Sequence, residues 1–115
     1  VVPKALAVGP QIQETFAKAY KKGVGISFGT DAGVFKHGQN GKEFGFMVAA
    51  GMPAMETIQS ATITNAMLLQ MEQKIGQIQK GFFADIIAVD EDPTKNISTM
   101  ENVVFVMKEG IVYKK

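Results

Sequence analysis

Cysteine is absent from this 115-residue chain, so neither a disulfide framework nor a thiolate metal site can be built from it. Histidine is nearly absent as well, and His37 stands alone. A metal centre made only of these residues would lack the imidazoles such centres normally use. No apolar run approaches the length of a membrane span, and no signal-peptide pattern is visible. A strong excess of one charge is also missing. The formal net charge is +1, with lysines scattered along the chain, which leaves no electrostatic footprint for nucleic acid or an anionic membrane. These absences fit a cytoplasmic protein.

What is present is an ordinary globular balance, with 46% hydrophobic and 20% charged residues. The length suffices for one domain with a modest core. The chain opens on Val1-Val2-Pro3 without an initiator methionine and is expected to be a piece of something larger.

The stretch Val24–Gly33, VGISFGTDAG, is where chemistry is expected. Val24–Phe28 is apolar and of strand length, so it reads as a strand buried on both faces. A glycine-bounded turn follows and carries one carboxylate, Asp31. Ligands of α/β proteins bind at the carboxyl ends of strands. Before this strand, Ile12, Phe16, Ala17 and Tyr20 recur at spacings of three and four, which predicts a helix over Pro10–Lys22 with Gly9-Pro10 as a break. A helix leading into such a strand is half of a βαβ unit, so a parallel sheet or barrel is expected.

Beyond the strand, Gly33–Lys42 reads as a polar loop. Glu43–Ala50 predicts a helix with Phe44, Met47 and Val48 on one face and Gly51 as its stop. Pro53–Leu69 predicts a longer helix. After Met71 the pattern shortens: a strand at Ile75–Ile78, a turn at Lys80-Gly81, and a strand in Ala84–Val89 are expected. Val103–Met107 and Ile111–Tyr113 flank Lys108-Glu109-Gly110 as a hairpin. Residues 1–69 thus form α/β material and residues 70–115 a small all-β segment. One parallel strand cannot form a sheet, and the β segments need partners for their edges. Those partners must come from further residues or from another chain, a second copy in a homo-oligomer included, unless the fold is other than a parallel sheet or barrel.

Three segments give the chain a family likeness. They are FGTDAG (Phe28–Gly33) with HGQN (His37–Asn40), AGM…METIQSATITNA (Ala50–Ala66), and KIGQIQKGFFADIIAVDEDP (Lys74–Pro93) joined to NVVFVMKEGIVYK. In this order the chain resembles the C-terminal part of the amidohydrolase superfamily, most closely its prolidase-like and imidazolonepropionase-like branch. The resemblance implies an α/β fold: the end of a (β/α)8 TIM barrel in residues 1–69, then strands of a composite β-sandwich in residues 70–115. Val24–Phe28 would be the eighth barrel strand. Asp31 would ligate a divalent metal, zinc in one or two ions, and take a proton from the attacking water. His37 and Asn40 lie in a loop that such enzymes use to contact substrate. The implied activity is hydrolysis of C–N bonds in a small molecule or a dipeptide, Xaa-Pro dipeptides first among them. The remaining ligands, histidines and often a carboxylated lysine, sit on strands this chain does not contain, so alone it is expected to be inactive. Two departures concern stability. Pro53-Ala54 replaces the usual Thr-Pro, removing a hydroxyl N-cap, and Gln70 replaces a helix-ending glycine.

Plainer readings stand beside these. Aspartate is common in turns, where it bonds its own backbone, and the residues alone leave Asp31 open between turn and ligand. For His37 the residues alone favour a solvated loop position over a contact with substrate. Gly-Thr-Asp is not the Asp-Thr-Gly of aspartic proteases, and no phosphate loop is present. Met47, Met52, Met55, Met67 and Met71 are expected to fill the core. Asp85 and Asp90, which flank the strand ADIIAV, read as structural or turn residues, and Glu56 and Glu72 as helix-surface charges. A rival to the enzyme reading is a non-catalytic fragment that folds only against a partner chain or the missing N-terminal part. A free-standing binding domain is disfavoured by the unpaired strands.

Overall fold

The computed structural model describes residues 2–30 and 39–115, with side chains from residue 11 onward. The first helix, α1, spans Val2–Lys21. It starts earlier than expected and runs through Gly9 and Pro10 rather than stopping there. Proline's fixed φ lies in the helical range, so the backbone passes through it at the loss of one amide donor. Helix α2 (Lys42–Ala49) buries Phe44 and Met47, and α3 (Ala54–Ala61) buries Thr57 and Ser60. Helix α4 covers Ile63–Leu68 and buries Ala66.

The single helix expected over Pro53–Leu69 is broken at Thr62, whose φ of −121° and ψ of −90° leave the helical region. Hydroxyls supply the physical reason. Thr57 donates to the Pro53 carbonyl, Ser60 to the Thr57 carbonyl, and Thr62 to the Ile58 carbonyl. Such back-bonding competes with the amide ladder and bends helices. Pro53 occupies the N-cap of α3 with no side-chain cap bond, as its sequence implied.

Helix α2 ends in a Schellman motif: Gly51 takes φ +110°, its amide bonds the Val48 carbonyl, and the Met52 amide bonds the Met47 carbonyl. Helix α4 ends the same way without a glycine. The Gln70 amide donates to Met67 at 3.0 Å and the Met71 amide to Ala66 at 2.8 Å, with Gln70 itself at φ +58°. A side chain in the left-handed region costs roughly 1–2 kcal/mol, partly offset in a glycine variant by the looser unfolded chain. Gln70→Gly is therefore expected to stabilise the complete protein by about 1 kcal/mol, read as a raised urea midpoint at unchanged m-value. A lowered midpoint would contradict the assignment.

The sheet is three-stranded and antiparallel, in the order β1 (Ile86–Val89), β2 (Val103–Lys108), β3 (Ile111–Lys114). The hairpin joining β2 to β3 is tight, with Lys108 paired to Ile111 across Glu109 and Gly110. Both turn residues have positive φ, 50° and 82°, as a type I′ turn demands. Asp85 has the structural role expected of it: its Oδ1 accepts the Glu109 amide at 2.9 Å, and the Ala84 carbonyl accepts the Gly110 amide at 3.1 Å. The hairpin tip is thereby tied to the entry of β1.

Between β1 and β2 lies a 3-10 helix, Ile97–Glu101, which packs on the start of α2. The approach is so close that a Cβ on Gly41 would stand 2.5 Å from the Met100 carbonyl oxygen. The core sits between these elements and comprises Phe44, Met47, Met52, Ala66 and Met100, with Thr57, Ser60 and Thr99 buried among them.

Two expected strands are not formed. Val24–Phe28 has no ladder partner among the described residues, and Val24 is 55% exposed rather than buried on both faces. An apolar run becomes a strand only where neighbouring strands pair with it, and the strands described here form a separate antiparallel sheet. The expected parallel sheet is therefore not found among the described residues. Ile75–Ile78 is irregular: Gly76 turns the chain at φ +94°, the Ile75 amide folds back onto Met71, and Ile78 is exposed. Methionine filling holds for Met47 and Met52, whereas Met55 and Met67 are more than half exposed.

Candidate functional site

The segment that leads to Asp31 is held by the broken helix. In an unbroken helix the Ser60 carbonyl would pair with the amide four residues on. The break at Thr62 makes that carbonyl available, and it accepts the Phe28 amide at 3.1 Å. From the first turn of α4, Asn65 Nδ2 donates to the Phe28 carbonyl at 3.0 Å. The Phe28 ring stacks on Phe44 of α2, with centroids 4.4 Å apart. Both backbone groups and the side chain of one residue are thus engaged by three helices.

From this anchor the chain continues through Gly29 to Thr30. The Thr30 hydroxyl donates to Asn40 Oδ1 at 3.3 Å, and the Asn40 carbonyl accepts the Glu43 amide at the start of α2. Asn40 is thereby placed beside the residue that precedes Asp31. Asp31 and His37 themselves lie outside the described residues. Partial burial raises the pKa of the nearby Glu43 carboxyl from its ordinary value.

A second tie holds α1. The Tyr20 hydroxyl donates to Glu56 on α3, so Glu56 is more than the bare surface charge its position suggested. The bond raises the Tyr20 pKa, because losing the proton would set a phenolate against a carboxylate. A cleft of about 290 Å³ lies here, lined by Val24, Ile26, Met52 and Gln59 as well as this pair. Two larger clefts of about 600 Å³ each are mainly apolar, one between α1 and α2 and one between the helices and the sheet. Among the described residues no group of three or more histidine or acidic side chains could hold a metal ion. Neither is any helix among them long and apolar enough to cross a membrane.

The Amidohydrolase family model matches residues 2–112, nearly the whole chain. The chain belongs to the amidohydrolase family. Within the family it is 30% identical to the ochratoxinase of Aspergillus niger over 116 aligned positions, covering 96% of this chain and 24% of that enzyme. A shorter match, 33% over 82 positions, joins this amidohydrolase chain to a 5-methylthioadenosine/S-adenosylhomocysteine deaminase of Thermoanaerobacter pseudethanolicus, covering 63% of the chain and 19% of the deaminase. The crystal structure of a Xaa-Pro dipeptidase with methionine bound in its active site superposes with a TM-score of 0.92. Identity there is 58%, over 98% of this chain and 28% of the dipeptidase. The likeness to the prolidase-like branch is thus borne out. This amidohydrolase chain spans about a quarter of the length of the curated relatives that match almost all of it.

Asn65 and Ser60 are the site-building residues that sequence reading passed over. Thr57, Ser60 and Thr64 lie away from the apolar stripe of Met55, Ile58, Ala61 and Ala66 that the sequence offers for burial, so helical spacing gave no sign that Thr57 and Ser60 would be buried. Polar groups on a buried face must find partners, and here one partner is the backbone of Phe28.

Proposed function

We propose that this chain is the C-terminal portion of a metal-dependent hydrolase of amide-type C–N bonds, with Xaa-Pro dipeptides as its substrate class. The observation that carries this reading is the superposition on a Xaa-Pro dipeptidase at 58% identity over 98% of the chain. Residues 1–69 belong to the end of a TIM barrel in this reading, and residues 70–115 to a β-sandwich completed by the remainder of the protein.

A divalent metal, zinc in the reading favoured here, supplies a lowered pKa for the attacking water. The described residues do not make a metal site, and one histidine with no cysteine cannot supply the usual three protein ligands. Asp31 is therefore one ligand of several, with the others lying outside this chain. Its carboxylate is also the group that takes the proton from the attacking water and hands it to the leaving nitrogen. Asn40 and His37 contact the substrate from the loop that follows. The hydrogen bond between Thr30 and Asn40 supports this reading, because it brings Asn40 to the residue before Asp31.

Hydrolysis by the complete chain tests the proposal. The purified polypeptide should contain bound divalent metal and release proline from Xaa-Pro dipeptides, whereas these 115 residues alone should do neither. A folded, metal-loaded complete chain that leaves every such dipeptide intact would overturn it.

A further inference from the structure

We infer that Asn65 is a positioning residue for the hydrolytic site, acting through the backbone of Phe28 on the presentation of Asp31. This rests on the hydrolase reading and goes beyond it. Asn65 lies 37 residues from Phe28 in sequence, yet its Nδ2 donates to the Phe28 carbonyl at 3.0 Å in a half-buried setting. The Phe28 amide is held at the same time by the Ser60 carbonyl at 3.1 Å. The peptide groups on both sides of Phe28 are thereby fixed relative to one helix break. Three residues later the chain reaches Asp31.

Phe28 belongs to no sheet among the described residues, and none of the strands described there substitutes for the clasp. Losing the Asn65 donor would leave the Phe28 carbonyl half-buried without that partner, while the Ser60 carbonyl still holds the Phe28 amide. Displacement of a reacting group by about 1 Å can cost on the order of 10²-fold in rate. Asn65 touches neither substrate nor metal in this scheme. Its effect passes through the position of the carboxylate.

The test compares the complete enzyme with Asn65→Ala and with Asn65→Asp, which keeps the shape but removes the donated N–H. Phe105→Ala, in the sheet, serves as a control for general destabilisation. Both Asn65 variants should lose kcat by on the order of 10²-fold at little changed KM, and should release metal at a lower chelator concentration than wild type. Phe105→Ala should lower the melting temperature while retaining metal like wild type. Wild-type kcat and metal retention in folded Asn65→Asp would overturn the positioning role and leave the hydrolase reading intact. Equal metal loss in Phe105→Ala would also overturn it, since destabilisation alone would then explain the effect. A complete wild-type chain with neither metal nor hydrolysis overturns both readings.

Discussion

Asp31→Asn in the complete enzyme is expected to lower kcat for Xaa-Pro dipeptides by on the order of 10²–10⁴-fold, the range that a positioned proton acceptor supplies. The loss follows from the role proposed for Asp31. Asparagine keeps the size and branching of the side chain but carries no charge for a cation and takes up no proton near neutral pH. Both parts of the role would be lost together. The fold should tolerate the change. The clasp on the preceding segment joins the backbone of Phe28 to the Ser60 carbonyl and the Asn65 amide. Steady-state kinetics, paired with a thermal melt and a metal assay, separate chemistry from stability. Undiminished turnover in a correctly folded Asp31→Asn enzyme would sink the assignment.

Gly76→Ala is expected to be strongly destabilising. Gly76 sits at φ +94°, where an L side chain is strained. A Cβ there would also stand 2.9 Å from the Ala66 Cβ and 2.9 Å from the Thr62 carbonyl oxygen. That oxygen is not free to retreat, because it accepts the Ala66 amide at 2.9 Å and starts α4. Strain of roughly 1–2 kcal/mol and overpacking of roughly 1–3 kcal/mol combine to an expected loss of about 2–5 kcal/mol. Gly81 provides the comparison, since it has φ +90° but nothing within 4 Å of its Cβ position. Gly81→Ala should therefore show the strain alone, about half the effect or less. Urea unfolding of both variants checks this. Equal losses at the two sites would show that the close approach at Gly76 contributes nothing.

The same two glycines show what the sequence disclosed and what it hid. Lys80-Gly81 reads as a turn because its signal is local, and the structure turns there. So does the hairpin at Glu109-Gly110, and the apolar face of α2, where Phe44 and Met47 fall at helical spacing. Gly76 lies in KIGQI, which alternates like a strand. Its conformation is set instead by contact with Ala66 and Thr62, about a dozen residues upstream. The break at Thr62 was hidden for a similar reason. Thr57, Ser60 and Thr62 are tolerable singly in a helix, and only together do their back-bonds interrupt it. Val24–Phe28 was legible as an apolar run but not as an unpaired one, because strand pairing depends on residues far away in sequence. Of the site, Asp31, His37 and Asn40 stood out by motif and polarity. Asn65 did not, since an amide inside a helix announces no partner.

The break at Thr62 also restricts which sequence changes this part of the chain can absorb. Ser60 and Asn65 grip opposite ends of the same residue, one from each side of the interruption. Substituting most residues between them leaves that grip in place. Adding or removing one residue would turn Asn65 by about 100° around α4 and carry its amide away from Phe28. The interval from Ser60 to Asn65 is therefore a fixed-length spacer, stricter in residue count than in residue identity.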